Sequence, residues 1–298
     1  MYDTIKIVNE LEQIPKQAME LRQTPFDWNG FLWIPHFKDS NTPLYYKSNF
    51  KNLSMRMVGN QLYITNSLHK LYHGNNYSRF SYGQVCKAII LLDSQLPINV
   101  YAAKILKLSV GIVIKENPQL VFNEWLYYLG KPFTPMKNYN KTYGAKFYLT
   151  DYSIKGYDKT YEVKKHNQIQ LNDNYFRFEI EGKTKIFNNK TNNIGIYTIN
   201  DLIDHSKYKK LGKLLQDKYL QIEKQPKIEL SKLNIKQKRL IASITNSEIK
   251  DSIRKQHPDT YKKDKKEYNK IIQNSQKSVF QNQVIEKINQ QINYSINN

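Results

Sequence analysis

Residues 53–64 read Leu53-Ser-Met-Arg-Met-Val-Gly-Asn-Gln-Leu-Tyr-Ile64. Apolar and polar side chains alternate on both sides of Gly59-Asn60, as they do in strands that bury one face. A two-residue connection containing glycine is typical of a tight β-hairpin. The segment therefore predicts an antiparallel hairpin, and we expect this hairpin to belong to a larger sheet.

Strand patterns continue through the first two thirds of the chain. The even positions of residues 106–114 form an apolar face, and further strands are predicted at about 146–158 and 175–181. Helices are predicted at about 81–96, where Ser81 and Gln84 have capping-box spacing, and at about 118–129. Strands mixed with helices in this order indicate an α+β protein.

After Ile199 the apolar period becomes helical. One stripe contains Tyr208, Leu211, Leu215, Tyr219 and Ile222. We therefore predict a domain of residues 1–225, with a mainly antiparallel curved sheet and packed helices, followed by a basic helical C-terminal segment, residues 226–298. That segment holds 15 Lys and Arg against 7 Asp and Glu. Within it, residues 233–256 fit either a helix–turn–helix or a plain solvated helical pair, and we expect the last ~25 residues to fray.

The composition favours a polyanionic partner. The 298 residues include 46 Lys and Arg against 26 Asp and Glu, a formal net charge of +20. Such an excess indicates nucleic acid before a membrane surface. The single cysteine, Cys86, excludes a disulfide framework, and no apolar run reaches the roughly 18 residues that a membrane span needs. We expect a soluble protein of a reducing cytoplasm.

Two of the predicted strands carry an unusual number of polar side chains. Strand alternation places Asp151, Ser153, Lys155, Tyr157 and Lys159 on one face, and Arg177, Glu179 and Glu181 on one face of the next strand. One interpretation is a solvent-facing sheet surface with cross-strand Lys–Glu pairs. The other is a functional site in which these groups converge.

The order of these residues resembles a known family. Tyr157, Lys159 and Glu162, followed by Arg177-Phe-Glu179, are similar to the nucleophile motif of rolling-circle replication initiators, above all the filamentous-phage gene II/X replication proteins and their phage and plasmid relatives. Further similar stretches are Met1-Tyr-Asp-Thr-Ile-Lys-Ile7, Ser67-Leu-His-Lys-Leu-Tyr-His-Gly-Asn-Asn76, Tyr128-Leu-Gly-Lys-Pro-Phe133 and Tyr152-Ser-Ile-Lys-Gly-Tyr-Asp-Lys159. The resemblance covers about residues 1–225.

The resemblance implies an enzyme that nicks and rejoins DNA. Tyr157 would attack a phosphodiester and form a 5′-phosphotyrosyl link, with Tyr161 as the reserve candidate. Lys155 and Lys159 would favour the phenolate and hold the phosphate. A divalent metal, Mg²⁺ or Mn²⁺, would be held by Glu179 and by Glu162, the weaker candidate because in an unbroken strand it lies opposite Tyr157.

The implied partner is single-stranded or origin DNA in the cytoplasm of a bacterial host. The candidate DNA-binding residues are Arg177, Lys146, Tyr152, Lys70, Asn75 and Asn76. Aromatic side chains interleaved with lysines suit stacked bases and phosphates, although each such tyrosine also suits a strand face in a core. Arg177 would either clamp a phosphate or pair with Glu179. A host helicase is a further candidate partner.

One position departs from the family pattern. Where that pattern has an acidic residue, this chain has Ser109, and a hydroxyl is a much weaker metal ligand than a carboxylate. Either another acid such as Glu116 or Asp151 completes the site, or metal affinity is low, or cleavage is lost and DNA binding kept. A non-catalytic DNA-binding relative is therefore the second hypothesis. A basic scaffold for RNA or a protein partner is the third.

His69 and His73, spaced i and i+4, suit either a metal or a loop beside DNA.

Overall fold

A computed structural model describes residues 1–38, 41–225, 231, 233–273 and 279–298. Its strands are β1 (Tyr2–Glu10), β2 (Phe26–Trp28), β3 (Phe31–His36), β4 (Tyr45–Phe50), β5 (Leu53–Val58), β6 (Gln61–Ser67), β7 (Lys104–Lys115), β8 (Trp125–Tyr128), β9 (Lys131–Pro132), β10 (Thr134–Asn138), β11 (Lys141–Tyr148), β12 (Tyr152–Asp158), β13 (Tyr175–Lys183) and β14 (Ile222–Lys224).

The helices lie between these strands and after them. They are α1 (Lys16–Met19), α2 (Leu68–His73), α3 (Tyr82–Asp93), α4 (Pro118–Phe122), α5 (Lys159–Asn167), α6 (Lys185–Asn188), α7 (His205–Leu220), α8 (Ile235–Thr245), α9 (Ser247–Gln256), α10 (Pro258–Gln273) and α11 (Val279–Asn297). A 3₁₀ turn spans Ile199–Ile203.

The large sheet has the order β10-β11-β12-β13-β7-β1-β6-β5-β4-β3-β2, and β14, β8 and β9 form a small second sheet. Neighbouring strands of the described chain pair antiparallel throughout. The hairpin prediction is confirmed, because Val58 pairs with Gln61 across a turn in which Gly59 has φ +56°. A positive φ is easy for glycine, which has no Cβ. The predicted α+β class is confirmed.

Helices cover one face of the large sheet. Ile5 and Ile64 of the sheet and Val85 and Ile89 of α3 are fully buried in one apolar core, into which α7 and α11 also pack. The Ser81–Gln84 capping box forms as predicted. Because the covered face takes the apolar half of each strand, the polar half lies on the opposite face, which we call the open face.

The predicted helix at 118–129 is wrong beyond its first turns. Asn117 caps α4, but the helix ends at Phe122, and Trp125–Tyr128 forms strand β8 between β14 and β9. Trp125 and Tyr128 are almost completely buried, and aromatic side chains of this size favour a strand that packs on a core. At β7, Leu106 leaves the predicted apolar face because the pairing with β1 shifts register beside it.

The C-terminal segment divides into two parts. Helices α8, α9 and α10 have a small core of their own, made by Ile241, Ile244 and Tyr268. Helix α11 packs back on α7 and β7, and Val284, Ile288 and Ile292 are buried in the main core. The expected fraying is therefore wrong for 279–297, because burial of those apolar side chains offsets the conformational entropy lost when the helix is ordered. Residues 274–278 lie outside the described part of the chain.

Candidate functional site

Two adjacent strands bring four of the predicted site residues together. Lys155 of β12 pairs with Glu179 of β13, and Tyr157 pairs with Arg177, so all four side chains lie on the open face. The predicted strand at 146–158 is in fact two strands with a turn between them, but the alternation holds within β12. Of the groups expected to converge, Tyr157, Lys155, Arg177, Glu179 and Glu181 lie on this face of the two strands, and Lys159 lies on the helix that follows.

The Glu179 carboxylate contacts every polar group of this cluster. It lies 3.2 Å from Lys155 Nζ and 3.0 Å from Arg177 Nε, and it accepts a hydrogen bond from Ser109 Oγ. The Tyr157 hydroxyl donates to Glu179 Oε2 at 3.5 Å. Although burial acts the other way, Lys155 and Arg177 lower the pKa of Glu179 to about 2. Glu179 is therefore a firmly ionised acceptor.

Arg177 joins Glu179 to a distant part of the chain. Its Nη2 lies 2.8 Å from Asp3 Oδ2 on β1, and its Nη1 donates to the Asn76 carbonyl at 2.9 Å. The side chain is almost fully buried, and despite that burial Asp3 and Glu179 raise its pKa. Of the two predicted roles, pairing with Glu179 is the one that the structure has. Asp3 was missed by the sequence prediction, although it lies in the family-like first seven residues.

The environment of Tyr157 differs from the expectation. Only 7% of the residue is exposed, and burial raises the pKa of its hydroxyl well above the usual range, with Glu179 adding to the effect and Arg177 opposing it. Lys155 and Lys159 were expected to favour the phenolate. Lys155 Nζ is 5.9 Å from the Tyr157 ring centre and binds Glu179 and Glu181 instead. The described arrangement therefore holds a neutral phenol.

Lys159 and Glu162 lie on a helix, not on the predicted continuation of the strand. Asp158 ends β12 and caps α5, with its Oδ1 accepting from the Tyr161 N–H at 2.8 Å. Lys159 Nζ is completely buried, donates to Glu162 at 2.5 Å and to Asn76 Oδ1 at 2.8 Å. The parity argument against Glu162 is therefore wrong, and so is the strand face predicted for Lys159. Burial and nearby Arg177 lower the pKa of Lys159 to about 8.

The carboxylates of this cluster do not fit a divalent cation as they stand. Asp3 and Glu179 both bind Arg177, and Glu162 binds Lys159. Within the described residues, no group of three or more His, Cys, Asp or Glu side chains is arranged to hold a metal ion. The acids suggested as replacements for Ser109 are engaged elsewhere, Glu116 with Lys287 and Asp151 with Lys185. Magnesium or manganese at Glu179 and Glu162 stays a prediction.

The remaining predicted DNA-binding residues have mixed positions. Lys146 lies on the open face opposite Lys155, with its Nζ 4.6 Å from the Tyr148 ring centre. Tyr152 lies on the other face, where its hydroxyl contacts that of Tyr128 at 2.9 Å. Asn75 Oδ1 accepts from the backbone of Tyr77 and Ser78, so it shapes a loop.

The remaining three candidates, Lys70, His69 and His73, belong to α2. Lys70 is half-buried there, and its backbone N–H bonds to Ser67, the cap of this helix. His69 is buried, stacks on Phe80 at 4.6 Å and contacts Ser78 at 3.0 Å, and burial followed by Arg177 lowers its pKa to about 2. A histidine in that environment supports the structure of the loop.

A basic surface that the sequence prediction missed extends from this cluster across the open face. In one row Lys183 pairs with Lys107 and Lys107 with Lys6, on β13, β7 and β1. The next row runs from Lys104 through Val8, Tyr63 and Arg56 to Lys47. All six cations are exposed. We call these six residues the lysine rows. Like charges directly opposite one another destabilise a sheet. Glu181 pairs with Lys107, and a bound anion would relieve the repulsion among the other cations.

No family model matches the sequence, and neither does any curated protein. Among solved structures, the rolling circle replication initiator protein from Geobacillus stearothermophilus matches over 61% of this chain and 73% of its own, with 13% identity and a TM-score of 0.36. A similarity at this level carries no argument about activity. The described helices include none long and apolar enough to cross a membrane.

Proposed function

We propose that this protein is a rolling-circle replication initiator that binds DNA on the open face and nicks and rejoins one strand through Tyr157. The observation that carries the proposal is that Tyr157, Glu179, Lys155 and Arg177 lie on the same sheet face as the lysine rows. A DNA backbone that follows those exposed cations is led to the side of the sheet that holds the tyrosine.

The proposed reaction exchanges one phosphate ester for another. The Tyr157 oxygen forms a bond to phosphorus, the bond from phosphorus to the 3′ oxygen breaks, and the 5′ phosphate stays on the tyrosine. Although burial opposes the effect, Lys155 and Arg177 keep the pKa of Glu179 near 2, so this carboxylate orients the Tyr157 hydroxyl and the phenol proton passes to water. Lys159, whose pKa is lowered to about 8, is the candidate to protonate the leaving 3′ oxygen. Attack by a 3′-OH on the phosphotyrosine reverses these steps and closes the strand.

We propose that the loop between α2 and α3, which lies against Arg177 and Lys159, moves to admit a phosphate to the centre. Asn76 of this loop accepts hydrogen bonds from Arg177 through its carbonyl and from Lys159 through its side chain, and both cations are buried beneath it. Opening the loop would let water and a phosphate reach the cluster. It would also lower the pKa of Tyr157, because burial is the main cause that raises it.

A second candidate function is DNA binding without cleavage. It is favoured by the burial of Tyr157 and by the pairing of every carboxylate in the cluster with an internal cation. In that case the residues of the former nicking centre would act only in folding. The lysine rows would still bind a polyanion.

The test uses random-sequence single-stranded DNA 60-mers that carry a fluorophore at the 3′ end. After incubation with Mg²⁺, with Mn²⁺ or with EDTA, a denaturing gel separates free DNA from DNA covalently joined to protein. We expect an adduct with the natural protein and none with Tyr157→Phe. Tyr161→Phe is the matched control, because Tyr161 is the neighbouring tyrosine and its hydroxyl bonds to Asn138. Tight binding without any adduct would select the second candidate, and absence of binding would refute both.

A further inference from the structure

The guanidinium of Arg177 lies between two carboxylates that come from separate strands. It reaches Asp3 on β1 at 2.8 Å and Glu179 on β13 at 3.0 Å, and β7 lies between these strands in the sheet. Both acids are buried, at 5% and 2% exposure. Two buried carboxylates that converge on one point need a positive charge there, and Arg177 supplies it.

The charges around this point are already balanced. Arg177 pairs with Asp3 and Glu179, and Lys155 also pairs with Glu179. Lys159 pairs with Glu162. Glu181 pairs with both Lys155 and Lys107. A divalent cation added beside Glu179 would meet the guanidinium and the ammonium that already bind this carboxylate. In a buried site the repulsion between such charges is screened poorly, so the cation would have to displace one of them.

We infer that Arg177 takes the position of a divalent cation in this centre, and that a DNA phosphate is held there by a guanidinium instead of a metal ion. The inference rests on the proposed function, since it assigns the group that faces the scissile phosphate. Arg177 Nη1 donates to the Asn76 carbonyl in the described arrangement, so opening the loop frees this N–H group for a phosphate oxygen. A planar guanidinium suits phosphate well because its donors are fixed in a fork.

The first measurement is of metal binding. Mn²⁺ is added to the metal-free protein, and its binding is monitored by electron paramagnetic resonance. We expect the natural protein to show no saturable Mn²⁺ binding at this centre up to about 1 mM. Binding at this centre would be recognised by its loss in Glu179→Gln. Arg177→Met leaves Asp3 and Glu179 without their shared cation, so we expect it to gain Mn²⁺ binding. That gain should disappear in the double variant with Glu179→Gln. Arg177→Lys keeps a positive charge and should bind no Mn²⁺, which serves as the control if Arg177→Met folds poorly.

The second measurement is adduct formation with the labelled 60-mers in EDTA. We expect the natural protein to form as much adduct in EDTA as in Mn²⁺. Arg177→Lys should form about 10-fold less, because a lysine ammonium cannot reproduce the fixed donor directions by which Arg177 binds Asp3, Glu179 and a phosphate together. An adduct that requires metal, or Mn²⁺ binding by the natural protein that Glu179→Gln abolishes, would overturn the inference and leave the proposed function standing. Absence of adduct under every condition would refute the nicking function itself.

Discussion

Replacement of three exposed lysines on the open face, Lys6, Lys104 and Lys183, by glutamine should weaken DNA binding in a salt-dependent way. Lys6 and Lys183 lie two strands apart, about 10 Å, and Lys104 belongs to the second row. If each contacts one phosphate of a single strand, the slope of log K against log salt should fall by about 2, that is, 3 contacts of about 0.7 each. At about 0.1 M salt the same relation gives a loss of about 100-fold in affinity.

The assay is the fluorescence anisotropy of a labelled single-stranded 30-mer, titrated at salt concentrations from about 50 to 300 mM, the range in which such slopes are measured. The matched control replaces Lys87, Lys209 and Lys210 by glutamine. These lysines are equally exposed, but they lie on α3 and α7, the helices that cover the opposite face. We expect the control to keep most of the affinity. An unchanged slope in the first triple variant, or equal losses in both, would refute the assignment of the open face as the DNA surface.

Three further outcomes are expected. Asn76→Ala removes the hydrogen bond from buried Lys159 to the Asn76 side chain, which makes the loop easier to open. If the centre opens on DNA binding, this variant should form adduct several-fold faster, as measured by quenching the reaction at successive times. Lys250→Met should raise the melting temperature, because Lys250 Nζ lies over the Tyr127 ring at 2.8 Å with no hydrogen-bond partner among the described residues. Burial lowers the pKa of Lys250 to about 8, so this gain should be complete below pH 8 and shrink as the pH rises further, because the folded protein then releases the proton. Gly156→Ala should lower the free energy of unfolding by about 2 kcal/mol in urea titrations, because the new Cβ clashes with the Trp125 ring.

The strands that carry the site were predictable because alternation is a local property. The parity of Lys155 with Tyr157, and of Arg177 with Glu179, places each pair on one face of its strand whatever the partner strands are. The point at which β12 ends was not predicted. Asp158 caps α5 there, so Lys159 and Glu162 obey the helical period instead of the strand period. A single cap residue thus changed the geometry of two predicted site residues.

The lysine rows and the contact between Arg177 and Asp3 could not be predicted from local sequence patterns. Asp3 and Arg177 are separated by 174 positions in the sequence, and they meet because β1 and β13 both pair with β7. In the same way Lys6, Lys107 and Lys183 are ordinary surface lysines until the strand order makes them neighbours. Strand order depends on which distant segments pair, and no short window of residues contains that information.

The amino-acid sequence by itself determined the hairpin, the capped helix, the basic charge and the sheet face on which Tyr157 and Glu179 would stand. These features follow from side-chain periods and capping chemistry within a few residues. The tertiary structure alone decided that Asp3 and the Asn76 carbonyl bind Arg177. It also decided that Tyr157 is buried with a neutral hydroxyl. Burial and long-range ion pairs arise only when distant segments exclude water together, so their effects on charge and access depend on the complete fold.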